Sequence, residues 1–130
     1  MSTETAHESR NDLQRITAFL QPHLEARAVQ ALHALEEFPG FSIVEARGQG
    51  RGRGAGGTYV ASEYDLTYQR HIRIEIVCRA AAVDLIVRTL AEAGWTGRRG
   101  DGVIFVSAVE RFVRIREAGT PAAEMREGAR

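Results

Sequence analysis

Ile72, Ile74, Ile76 and Cys78 alternate without a break with His71, Arg73, Glu75 and Val77. A period of two places the two sets on opposite faces of a β-strand, so one face packs into a core and the other presents polar groups. The sequence that leads into this strand, residues 45–70, reads EARGQGRGRGAGGTYVASEYDLTYQR. It begins as a short apolar strand, passes through glycines and arginines, and reaches three tyrosines before the alternation starts. Connections of this length without regular structure are uncommon inside a compact domain and are usually functional or disordered. Function is therefore sought in residues 45–77.

The remaining chain supplies the partners that such a strand needs. Residues 16–21, ITAFLQ, read as a first strand, and Pro22 stands where the first turn of a helix accepts a residue without an N–H. Leu24, Ala28, Leu32 and Leu35 follow at helical spacing, which predicts a helix to about Phe38, stopped by Pro39 and Gly40. Residues 41–47 read as a second strand. Val83, Ile86, Val87 and Leu90 return to helical spacing, with Gly94 expected as the left-handed residue after the helix end. A tight turn, TGRRGDG, precedes a strand over residues 103–106, and a last extended piece is expected over residues 112–116. Strand, helix, strand, long loop, strand, helix, strand is a doubled βαβ unit, the ferredoxin-like α+β arrangement, with a four-stranded antiparallel sheet and both helices on one face. The other face then needs cover, and in a chain of 130 residues a second copy is an economical source. Residues 1–12 and 118–130 read as flexible extensions around a domain at 13–117.

Charge narrows the partners. Seventeen basic residues balance seventeen acidic ones, so there is no global pull toward nucleic acid or membrane. Basic residues cluster locally, as Arg47, Arg51 and Arg53 in the long loop and Arg98 and Arg99 in the later turn. No run approaches the roughly 18 apolar residues that span a bilayer, and the polar N-terminus is no secretory signal, so a cytoplasmic protein is expected. A single Cys78 excludes an internal disulfide and reads as a small buried hydrophobe. His23 and His33 lie ten residues apart and, with His7 and His71, form no metal-ligand spacing. No Ser/His/Asp or Cys/His set points to an enzyme.

Residues 96–106, TGRRGDGVIFV, together with residues 113–116, VRIR, and the length of the stretch between residues 45 and 77, resemble the PII signal proteins, the nitrogen-regulatory family. The resemblance covers residues 16–116. It implies a homotrimer that binds ATP or ADP in clefts between subunits and changes the shape of a T-loop, here about residues 48–70, to regulate a protein target such as a transporter or metabolic enzyme. By family position the nucleotide contacts are Gly48, Gly50 and Arg51 at the loop base; Thr96, Gly97, Arg98, Gly100, Asp101 and Gly102 in the turn; and Arg114 and Arg116 beyond it. Glu75, Val77, Phe19 and Ser42 fall toward the adenine and ribose.

The chemistry of these residue types agrees with that assignment. Phosphates need backbone N–H donors and guanidinium groups, and glycines let the main chain approach without a Cβ in the way. Each residue also has a plainer reading. Arg114 and Arg116 read as a solvated strand face, residues 100–102 as a tight turn, Glu75 as a surface carboxylate, and Phe19 as a core aromatic.

Four positions depart from the family pattern. Val103 replaces the cation that follows the Gly-Asp-Gly turn, which should weaken triphosphate binding and bias the site toward ADP or AMP. Gly52 replaces the glutamine that helps chelate Mg²⁺ with 2-oxoglutarate, and glycine has no side-chain oxygen for a metal. His71 and Gln21 replace two lysines at the same second-ligand subsite, and neither histidine nor glutamine is the permanent cation that a lysine is. Ordinary 2-oxoglutarate sensing is therefore not expected.

Tyr64, with Tyr59 upstream, falls where some family members are nucleotidylylated, but reads more readily as an exposed tyrosine that anchors a partner. The Gly/Arg run also resembles single-strand nucleic-acid-binding segments, but no aromatics are interleaved within it. The competing readings are a metal-responsive or cation-tolerance trimer of the same fold, which has no use for residues 100–102 with Arg114 and Arg116, and a PII-like regulator of metal efflux or inorganic-carbon transport.

Overall fold

The alternating strand is a central one. In the computed structural model, which describes residues 12–49 and 69–118, the chain runs β1 (Leu13–Leu20), α1 (Glu25–His33), β2 (Ser42–Gly48), β3 (Gln69–Arg79), α2 (Val83–Gly94) and β4 (Gly102–Ala108). Short 3-10 turns, Pro22–Leu24 and Ala80–Ala82, lead into the two helices. The four strands form one antiparallel sheet in the order β2-β3-β1-β4. This is the ferredoxin-like arrangement expected from the pattern.

Strand parity decides what is buried. Ile16, Ala18 and Leu20 of β1 and Ile72, Ile74, Ile76 and Cys78 of β3 form one core with Ala28 and Leu32 of α1 and Ile86, Leu90 and Ala93 of α2. Both helices therefore cover the same face. The opposite face carries Thr17 and Phe19 beside Arg73, Glu75 and Val77, with Ser42 and Val44 on one edge and Val103 and Phe105 on the other. Val44, Val77, Val103 and Phe105 are exposed there.

Three local expectations need correction. The first helix ends at His33, not near Phe38, because the following residues fold back: the His33 and Phe38 rings stack at 4.3 Å with Phe41 edge-on to both. Arg79 then clamps Glu37 from β3 through two bonds of 2.9 and 3.1 Å. Gly94 is the last helical residue and not a left-handed cap. It is buried, and a Cβ there would stand 2.7 Å from Leu20 Cδ2, so its role is the close approach of α2 to β1. Residues 112–116 are not a strand: no ladder includes them, residues 115–118 form a turn closed by Ala118 N–H to Arg114 O at 2.9 Å, and Ile115 is 78% exposed. A strand needs a neighbour, and none reaches this segment among the described residues.

Candidate functional site

The turn between α2 and β4 is tied by one carboxylate. The Thr96 hydroxyl donates to Asp101 Oδ1 and the Thr96 N–H donates to Oδ2 at 2.8 Å. Arg98 N–H donates back to the Thr96 hydroxyl at 3.2 Å. The Thr96 hydroxyl foremost, then the N–H groups of Thr96 and Gly97, hold the Asp101 pKa below its ordinary value. Between these anchors the chain turns on Gly97 and Gly100, with φ of +81° and +86°, and it leaves the turn through Gly102 at +119°.

Gly102 has a second reason to be glycine. A Cβ there would lie 1.7 Å from the Phe19 carbonyl oxygen, inside the β1–β4 ladder. At Gly100 a Cβ would meet only Gln69 Oε1 at 3.5 Å and Gln21 Nε2 at 3.9 Å, which is ordinary contact.

The residues read as a second-ligand subsite converge on this turn. Gln21 Nε2 donates to the Gly100 carbonyl at 3.0 Å, and His71 Nε2 lies 3.4 Å from the same oxygen. Gln69, which the sequence reading did not single out, joins them. It pairs with Gly48 across the β2–β3 ladder and so links Gly48 to the turn. Nothing in the residue pattern points to Gln69, because its contact is with a backbone position. Gly50, Arg51, Gly52, Tyr59 and Tyr64 lie outside the described residues.

Glu75, Val77 and Ser42 are on the open sheet face, with Glu75 about 13 Å along β3 from His71. Glu75 is not a bare surface carboxylate. Thr17, only 3% exposed, donates to its Oε2 at 2.8 Å, while Arg73 Nε stands 3.3 Å from Oε1 and Arg15 Nε 3.8 Å from Oε2. Thr17 and the two arginines are further residues that the sequence reading missed. Phe19 bridges the two regions, its ring stacked on Phe105 at 6.3 Å and its carbonyl against Gly102. Val103, directly after the turn, is 60% exposed and apolar.

Arg114 and Arg116 form a third group. The Arg114 guanidinium lies over the Phe112 ring at 5.6 Å and 3.9 Å from Glu117, and no hydrogen bond or ion pair joins either arginine to the turn among the described residues. Burial pushes the Cys78 thiol up, which suits the packing role expected of it. Among the described residues no three His, Cys, Asp or Glu side chains stand together as metal ligands, and no helix is long and apolar enough to cross a membrane.

A four-stranded ferredoxin-like sheet, a Thr–Asp-tied glycine turn at its end and a long β2–β3 connection define the class, and comparison with known proteins supplies the family. The sequence matches the family model described as Nitrogen regulatory protein P-II over residues 13–119. It is 35% identical over 104 residues to the nitrogen regulatory protein P-II of Rhodospirillum rubrum, covering 80% of this chain and 92% of that one. Over a shorter span of 77 residues it is 43% identical to the corresponding protein of Synechocystis, covering 59% and 69%. The fold is similar to that of the crystal structure of Arabidopsis thaliana PII bound to citrate, with a TM-score of 0.66 at 22% identity over 84% of this chain and 85% of that one. This chain belongs to the nitrogen regulatory protein P-II family and is a PII-like signalling protein.

Proposed function

We propose that this protein is a cytoplasmic regulator that binds adenine nucleotide, ATP or ADP and with AMP as a further ligand, between the subunits of a homotrimer, and signals to a protein target through the segment joining β2 to β3. It works by binding and shape, not catalysis. The working domain is residues 13–117, with residues 48–70 as the effector arm and residues 1–12 and 118–130 as extensions.

The observation that carries this reading is the turn tied by Thr96 and Asp101. Gly100 leaves backbone open to a phosphate, since its outer side meets only two side-chain ends. The remaining predicted contacts support an intersubunit cleft by their separation. Glu75, Val77 and Ser42 lie on the open face and Arg114 and Arg116 beyond β4, so a neighbouring copy laid against that face brings the groups together. The exposed Val44, Val77, Val103 and Phe105 give such a copy apolar surface to cover.

Val103 gives the phosphate end an apolar wall where a cation would favour triphosphate, which supports a preference for ADP or AMP. Gln21 and His71 already serve the Gly100 carbonyl. This supports the reading that 2-oxoglutarate is not the second ligand.

Calorimetric titration with ATP, ADP and AMP, each with and without 2-oxoglutarate or bicarbonate, tests the reading. Binding of ADP at least as tight as ATP, unaffected by 2-oxoglutarate, is expected. No heat with any nucleotide would overturn the proposal, and tight 2-oxoglutarate binding with Mg-ATP would overturn the reading of the second subsite.

A further inference from the structure

The Gly100 carbonyl is where three parts of the chain meet. Gln21, just past the end of β1, donates to it at 3.0 Å. His71 in β3 places Nε2 3.4 Å from the same oxygen, a donor whenever that nitrogen carries the proton. A carbonyl oxygen offers two lone pairs, so these two side chains saturate it. The peptide is planar and trans, so fixing the Gly100 oxygen fixes the Asp101 N–H on the opposite side of the turn. The next anchor is the Asp101 carboxylate, held by Thr96. Gln69, at the Gly48↔Gln69 end of the β2–β3 ladder, packs beside Gln21 around Gly100.

We infer that Gln21 and His71 are positioning residues: by holding the Gly100 carbonyl they set the Gly100–Asp101 peptide with its N–H edge presented to a phosphate-bearing ligand, and they tie that edge to the base of the β2–β3 ladder. The turn is thus organised by the chain's own side chains, without a second small ligand at the carbonyl. Both side chains approach the oxygen directly, so their effect is on the shape of the turn and reaches a ligand only through the peptide.

The test has two arms on the full chain, and only the second rests on the nucleotide reading. In the first, amide hydrogen exchange at residues 100–102 is followed by NMR without nucleotide in Gln21→Met, His71→Leu and His71→Gln. Faster exchange in the first two, return toward wild type in His71→Gln, and unchanged exchange in the centres of β1 and β3 are expected. Turn amides that exchange alike in all four proteins would overturn the inference.

In the second arm, Gln21→Met is expected to weaken ADP binding about tenfold, the loss of roughly one hydrogen bond's effect, while adenosine binding is unchanged. Equal losses for ADP and adenosine would overturn the phosphate-directed role. A wild-type protein that binds neither would sink the nucleotide reading and leave the exchange result to decide whether the carbonyl is held as described.

Discussion

Gly102 answers two demands at once. Its φ of +119° is strained for any residue with a Cβ, and the space a Cβ would take is filled by the Phe19 carbonyl oxygen. Since that oxygen belongs to the β1–β4 ladder, relief requires the two strands to part. Gly102→Ala is expected to cost about 2–3 kcal/mol, read as a lower denaturant midpoint; an unchanged midpoint would contradict the packing described. Asp101 acts in the opposite way, through bonds it accepts. Its folded pKa lies below the ordinary 3.8, so its contribution is complete above that value and is lost as pH falls through the lower folded one. The turn is therefore intact across the neutral range and loosens only in strongly acid solution. Thr96→Val removes the leading donor and should move the Asp101 midpoint upward in an NMR titration, whereas an unmoved midpoint would count against the bond.

At the scale of elements, β3 holds the domain together. It pairs with β1 and β2 and sends Ile72, Ile74 and Ile76 under both helices. Ile74 is fully buried, and Ile74→Ala should destabilise the protein by about 2–5 kcal/mol in chemical denaturation. A smaller loss would show that the core collapses around the gap.

This strand was legible in the sequence because parity is unambiguous: eight residues in strict alternation allow one packing face. The helix end at His33 was not, since the apolar spacing continues to Leu35 while stacking of His33, Phe38 and Phe41 redirects the chain. Residues 112–116 misled for a related reason. Arg114 and Arg116 alternate with Val113 and Ile115, but a strand also needs a partner that no local pattern reveals. The site was legible only as a signature of residue types. The grip of Gln21 and His71 on a backbone carbonyl depends on where β1, β3 and the turn meet, and Gln69 entered through that geometry alone.

At the scale of the whole molecule, one sheet face is covered by helices and, among the described residues, the other is not. Its centre is the Thr17–Glu75–Arg73–Arg15 network and its borders are Val44, Val77, Val103 and Phe105. A neutral chain with a face of this kind is suited to self-association, and sedimentation equilibrium should give three times the chain mass. Arg114 lies outside that face, so Arg114→Ala should keep the trimer while losing affinity for ADP more than for adenosine. An unchanged ADP affinity in that variant would remove Arg114 from the cleft. Nucleotide bound at the Thr96–Asp101 turn should be visible in hydrogen–deuterium exchange of the wild-type protein with and without saturating ADP. Protection is expected at residues 96–102 and at the end of β1 near Phe19 and Gln21. ADP that binds while leaving those residues unprotected would contradict binding at the turn.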